Sequence, residues 1–332
     1  MRPYFVAELS ANASAKNLDH ALRTVLAAKY AGADAIKLQT WTPGTMTWGG
    51  YVIKTGKWAG RNLAELYAEA WTPWEWHKPI FDHARSIGLE VWSTPFDQQA
   101  LDFLESLDCP RYKIASFEIL DLRLIEECAA TGKPVIISTG MASWVEIHEA
   151  VAAARRGNPN VDLTLLQCTS AYPAPAAEAN LHTMVNMARI WNCRSGLSDH
   201  TIGIGVAAAA ATMGASMIEK HFTMDRSIES LDADFSLMPL EFKQMTIVCA
   251  EAAQAVGKVG YGPKPSESTE LRRGIYWATA KASGDMVTAA DMVTARPATT
   301  MTPRDGWAKE GCKLVEAVVR GDPVEPHHFG SI

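Results

Sequence analysis

PVIISTG (134–140), VEIHEAVAAARRG (145–157) and LTLLQCT (163–169) decide the fold. The first and third are short, continuous apolar runs with β-branched residues. The middle stretch is amphipathic at helical spacing and stops at Gly157. Two fully apolar strands joined by a crossover helix make a parallel βαβ unit, buried on both faces. The same unit recurs outward in both directions. Further runs are YFVAEL (4–9), AIKLQTW (35–41), LEVWSTPF (89–96), RYKIAS (111–116), RSGLSD (194–199) and MIEKHFT (217–223). Helical patterns separate them. NLDHALRTVLAAKYAG (17–32) sets Leu18, Leu22, Val25 and Leu26 on one face and ends at Gly32. Eight βα units within 260 residues predict an α/β fold, a closed (β/α)8 TIM barrel. An open doubly wound sheet is the runner-up. It normally opens on a Gly-rich turn, and Glu8-Leu9-Ser10-Ala11 is not one.

Past Gly257 the texture changes to VGYGPKPSESTE (259–270), rich in Gly, Pro and Ser. Short β-like runs with Gly284-Asp285 and Gly321-Asp322 turns follow. The expected organisation is a barrel domain over 1–260, a linker over 261–272 and a small β-rich domain over 273–332. The last is short for a free-standing core.

Composition excludes several classes. Thirty-one basic against 37 acidic residues give a net charge of −6, which disfavours a nucleic-acid binder working through phosphate contacts. No apolar run is long enough for a membrane span, and MRPYFVAELSANAS lacks the apolar core of a signal peptide. Six cysteines are scattered without a CxxC pair and read as buried small hydrophobes. A cytoplasmic, core-rich protein is expected.

Barrel active sites lie at the C-terminal ends of the strands. Those ends carry Glu8; Lys37 and Gln39; Ser93 and Thr94; Lys113, Ser116 and Glu118; Ser138 and Thr139; Thr169 and Tyr172; Ser198, Asp199 and His200; and Glu219, Lys220 and His221. Lysines with hydroxyls suit a phosphate or carboxylate. His200 and His221 end adjacent strands and can converge on a divalent metal. Read blandly, a strand-end Lys is a structural ion pair and a Ser or Thr a helix cap. Two mechanisms fit: a metal-polarised carbonyl attacked by a carbon nucleophile, or a Schiff base on Lys37, Lys113 or Lys220. A non-catalytic sugar binder would not need so many titratable groups. Histidines 20, 77, 83, 148 and 182 carry no assigned role, and His327 and His328 read as solvated. Trp41, Trp48, Trp58, Trp71, Trp74 and Trp76 crowd a βα connection of more than 30 residues, a length that usually signals function.

The motifs FVAELSAN (5–12), GADAIKLQT (32–40), STPFD (93–97), YKIASFEI (112–119), GKPVIISTGMAS (132–143), CTSAYPAP (168–175), GLSDHTIG (196–203) and IEKHFTMDRS (218–227) stand in that order. Together they resemble the sialic acid synthase family, whose members condense phosphoenolpyruvate with an amino sugar to nine-carbon 2-keto acids. The resemblance runs through the tail, which is similar to the antifreeze-like (SAF) domain of that family. KLQTWTPGTMTW (37–48), AWTPWEWH (70–77) and VWSTPFD (91–97) most resemble the pseudaminic acid synthases, which use a 2,4-diacetamido-2,4,6-trideoxy-altrose acceptor. N-acetylneuraminate and legionaminate synthases are the near alternatives.

The resemblance implies His200 and His221 as metal ligands for Mn²⁺ or Mg²⁺. It implies Lys37, Thr94, Lys113, Ser116, Ser138 and Ser198 as phosphoenolpyruvate contacts. Gln39, Glu118, Tyr172 and Asp232 correspond to positions near the sugar, and Glu8 to the acid/base. Arg296 corresponds to a tail arginine that enters the partner's site in a domain-swapped homodimer. The chain departs from the family at Asn12-Ala13-Ser14-Ala15, where an Asn-His-Asn-Gly-like stretch is usual. It departs again at Ala298-Thr299-Thr300, where glycines are common. For the apolar groups of the acceptor, Trp41 and Trp74 are the expected wall.

Overall fold

The computed structural model describes residues 2–330. Eight parallel strands close in sequence order into a barrel. They are β1 (Tyr4–Glu8), β2 (Ala35–Thr40), β3 (Glu90–Pro95), β4 (Tyr112–Ile114), β5 (Val135–Ser138), β6 (Leu163–Cys168), β7 (Arg194–Asp199) and β8 (Met217–His221). The barrel closes because β1 pairs with both β2 and β8. Apolar residues of the strands and of the crossover helices form one continuous core.

Local chemistry starts and stops those helices. Ser143 and Glu146 form a reciprocal capping box at the head of Trp144–Gly157. Asn17, Asp97 and Asp121 accept from backbone N–H groups at three other helix starts. Gly196 in β7 is dictated by close approach: a Cβ there would run into the Met217 carbonyl of β8.

Behind the sheet, His77 is completely buried. Its Nε2 lies 2.9 Å from Thr40 Oγ1 and its Nδ1 3.2 Å from the Pro73 carbonyl. Ser93 joins the same outer layer through Thr40 at 2.6 Å, so it does not face the barrel interior as the strand-end reading expected. Burial pushes His77 down to about 4 from its ordinary 6.5. Between those values the unfolded chain binds the extra proton and the folded chain does not. Stability is therefore whole above pH 6.5 and falls as pH drops toward 4, by ~3 kcal/mol in all. Urea unfolding at pH 7 and pH 4.5 checks this: the loss on acidification is expected to be smaller in His77→Gln than in wild type.

The chain divides into two compact units, Met1–Gly257 and Lys258–Ile332. In the second, β9 (Gly274–Trp277) pairs antiparallel with β10 (Met292–Ala295). Its small core gathers Ile275, Trp277, Val287, Leu314, Val324 and Phe329. Gly284 and Gly321 take positive φ at the two expected turns. Arg296 follows β10 and is exposed. His328 corrects the solvated reading: it is buried, and its Nδ1 accepts from Trp277 Nε1 at 3.2 Å and from the Glu325 amide at 3.0 Å. Among the described residues Glu316, His327 and His328 lie close enough to share an ion. With Nδ1 of His328 used as an acceptor, however, its neutral ring carries the proton on Nε2 and offers no free lone pair.

Candidate active site

Strand alternation sorts the polar strand ends onto two faces. Lys37 Nζ, from β2, lies 2.6 Å from Glu8 Oε2 of β1 and 3.4 Å from Glu219 Oε1 of β8. Lys113 Nζ, from β4, lies 3.2 Å from the same Glu219 oxygen, and Ser198 Oγ donates to it at 3.1 Å. Gln39 Nε2 donates to Glu8 Oε1 at 3.0 Å, and Lys37 reaches Thr94 Oγ1 at 3.4 Å. Glu8, Lys37, Lys113 and Glu219 are all buried, which brings four strands' charges into one cluster inside the barrel.

Ser116 stands at the edge of this cluster. Its Oγ accepts from the Gly140 amide at 3.1 Å, and a side chain at Gly140 would strike the hydroxyls of Ser116 and Ser170. The Ser138 hydroxyl, one oxygen each of Glu219 and Glu118, and Nδ1 of His221 are buried without a hydrogen-bond partner. Buried polar atoms are normally satisfied, so this concentration marks a site that awaits a polar ligand.

The other face holds what the sequence reading wrongly placed at the mouth. Lys220 Nζ pairs with Asp199 at 2.6 Å and donates to the Thr201 carbonyl at 2.5 Å. Both side chains belong to the outer layer, which removes Lys220 as a Schiff-base candidate. Thr139 donates to the Leu166 carbonyl and Thr169 to the Glu178 carbonyl, so both are structural.

The rings of His200 and His221 are neighbours. Their ring centroids are 5.4 Å apart, with Tyr172 4.3 Å from His200. His200 Nδ1 lies 2.9 Å from the Thr169 carbonyl, which fixes the proton on Nδ1 and leaves Nε2 with a free lone pair. His221 Nδ1 lies 3.7 Å from Asp232 Oδ2. Two imidazole nitrogens without competing donors, beside a carboxylate, suit a divalent ion that keeps open positions for substrate.

The charges respond to burial and to one another. Desolvation raises Glu8 to about 7, against the pull of Lys37. Burial would also raise Glu219, but Lys113 and Lys37 outweigh it and hold Glu219 down at about 2. Two nearby carboxylates are thus driven apart, one ionised and one poised near neutrality, a division typical of acid–base sites. Desolvation lifts Glu118 to about 7 as well.

Four residues have a part in the site that the sequence reading did not assign to them, although it placed Glu219 at a strand end and Trp58 in the Trp-rich connection. Glu219 is its electrostatic hub, and its place two residues before His221 on one strand face was the available signal. Asn12 donates to the Phe222 carbonyl at 3.0 Å and to Ser236 Oγ at 2.8 Å, tying the loop after β1 to the loop after β8. Cys168 Sγ lies 3.9 Å from His200 Nδ1. Burial pushes this thiol up, but His200, Ser116 and Lys113 bring it down to about 7, so it is no inert hydrophobe. Trp58 packs at 5.7 Å against Tyr172. Of the expected wall, Trp41 is buried beside Phe96 at 5.0 Å, whereas Trp74 stacks on Phe103 of the helix Gln98–Ser106 and donates its indole N–H to the Trp41 carbonyl at 2.8 Å.

A closed parallel barrel whose mouth holds paired lysines, divided carboxylates and converging histidines defines an enzyme of the (β/α)8 class. A family model described as the NeuB family matches residues 24–261. The pseudaminic acid synthase of Helicobacter pylori is 47% identical over 260 residues, 77% of this chain and 76% of that protein. The pseudaminic acid synthase of Campylobacter jejuni serotype O:23/36 is 38% identical over 332 residues, covering 98% of this chain and 96% of its own. The N-acetylneuraminic acid (sialic acid) synthetase of Leptospira borgpetersenii, solved with citrate, superimposes at a TM-score of 0.71 with 28% identity, over 80% of this chain and 89% of that one. The chain belongs to the NeuB family.

Proposed function

We propose that this enzyme condenses phosphoenolpyruvate with 2,4-diacetamido-2,4,6-trideoxy-altrose to pseudaminic acid, releasing phosphate. The observation that carries the substrate is the likeness to two pseudaminic acid synthases from different organisms, one of them matched end to end. In the overall reaction carbon 3 of phosphoenolpyruvate bonds to the sugar's aldehyde carbon, while the C=O π pair passes to the aldehyde oxygen, which takes a proton and becomes a hydroxyl. Water adds at carbon 2, and the carbon 2–oxygen bond to phosphate then breaks. Lys37 and Lys113 neutralise the carboxylate and phosphate, with Thr94, Ser116, Ser138 and Ser198 supplying hydroxyl donors. Glu8 takes the proton of the adding water. Gln39 orients Glu8, and Glu118, Tyr172 and Asp232 face the acceptor.

His200 and His221 would hold the divalent metal, Mn²⁺ or Mg²⁺. Bound there, such an ion supplies Lewis acidity to the aldehyde oxygen. Arg296, from a tail of SAF type, would complete the neighbour's site in a domain-swapped homodimer. No helix among the described residues is long and apolar enough to cross a membrane, in keeping with a cytoplasmic enzyme.

Phosphate release measured across a panel of open-chain amino sugars tests the reading. The diacetamido-altrose is expected to give the highest kcat/KM, with turnover abolished by EDTA and restored by Mn²⁺. Preference for N-acetylmannosamine or the legionaminate precursor would reassign the acceptor. Full activity in EDTA, or borohydride trapping of substrate on Lys37 or Lys113, would overturn the metal-assisted mechanism.

A further inference from the structure

The connection between β2 and the helix Trp74–Ser86 is not a featureless loop. It contains helices Pro43–Met46 and Leu63–Ala70. Between them the chain folds back on itself: Val52 bridges Asn62, the Ile53 amide donates to the Arg61 carbonyl at 3.0 Å, and the Gly60 amide returns to the Ile53 carbonyl at 2.8 Å. The tip of this flap is Lys57-Trp58, and both residues reach across to loops at the barrel mouth. Lys57 Nζ donates to the Leu231 carbonyl at 2.6 Å, pairs with Asp234, and sits 4.6 Å above the Phe235 ring. Trp58 meets Tyr172. Tyr172 in turn touches Phe235 at 5.4 Å and both metal-site histidines, at 4.3 Å and 6.1 Å.

The Trp58 indole N–H is buried and has no hydrogen-bond partner. Indole is a donor only, so its complement is a carbonyl oxygen set beside apolar surface. An acetamido group supplies both in one substituent. We infer that Trp58 is an acceptor-specificity residue, presenting its indole N–H to the carbonyl oxygen of an acetamido group of the sugar beside the Tyr172 ring, and that Lys57 is the latch that positions it. This rests on the synthase reading above and assigns that reading's substrate a contact outside the strand ends.

The test measures both Michaelis constants in Trp58→Ala, Trp58→Phe and Lys57→Met. Trp58→Ala is expected to raise KM for the diacetamido sugar at least about tenfold, the scale of a lost side-chain contact in a binding pocket. Its KM for phosphoenolpyruvate should change less than about twofold on the same scale. Trp58→Phe keeps the ring without the N–H and is expected to fall between wild type and Trp58→Ala. Lys57→Met is expected to raise the sugar KM and to quicken tryptic cleavage after Arg61 in the flap. Equal rises in both constants, or an unchanged sugar KM in Trp58→Ala, would overturn the inference while leaving the synthase reading intact. Wild-type protein that releases no phosphate with any amino sugar would take both down.

Discussion

Glu8→Gln is expected to lower kcat by ~10²–10⁴-fold, the usual share of one positioned acid–base group. The substitution preserves shape and removes only the ionisable oxygen. The amide still meets Gln39, which lies 3.0 Å from Glu8 Oε1. Lys37 loses one of its two anionic neighbours, so binding of the phosphoenolpyruvate anion should not weaken. The pH profile provides the second readout. Burial sets Glu8 at about 7, and the carboxylate is the form that accepts a proton from water. Wild-type kcat/KM should therefore rise as pH climbs through about 7 and then level off. In Glu8→Gln that limb should be absent from whatever activity remains. A variant that keeps the limb would assign it to another group, with Glu118 the next carboxyl lifted to the same range.

Lys113→Met should eliminate measurable turnover and also destabilise the barrel, by ~3–5 kcal/mol for a buried charge that loses its partner. Glu219 is 4% exposed and shares one oxygen among Lys113, Lys37 and Ser198. Removing Lys113 leaves that carboxylate one cation, Lys37 at 3.4 Å, beside the Ser198 hydroxyl. The double variant Lys113→Met/Glu219→Gln separates stability from catalysis. With the carboxylate neutralised, most of the lost stability should return, while phosphoenolpyruvate binding stays weak because one of its two cations is gone. Thermal unfolding and titration with phosphoenolpyruvate would read the two effects independently. Recovery of binding along with stability would mean that Lys113 is only a structural counter-ion.

Much of this site was legible along the chain because barrel chemistry concentrates at strand ends. Glu8, Lys37, Lys113, Ser198 and His221, together with His200 just beyond β7, could be found by reading the last residues of each apolar run. Which face each residue takes was less legible. Lys220 lies between Glu219 and His221, and a difference of one residue sends it to the outer layer with Asp199. Ser93 beside Thr94 repeats the pattern. Period-2 alternation contains the answer only once the register is known.

The sequence by itself determined the eight βα units, their caps and stops, and the identity of the groups at the mouth. Those features depend on neighbours within a few residues, and apolar periodicity and capping chemistry are local. Tertiary structure alone decided that Glu219 would become the hub of two lysines, and that the acidities of Glu8 and Glu219 would be driven apart. It also decided that Trp58 rather than Trp74 would pack on Tyr172, the ring that touches both histidines. These outcomes depend on barrel closure, which joins β1 to β8 across more than 200 residues, and on the desolvation that closure imposes. Burial and through-space charge have no period along a chain.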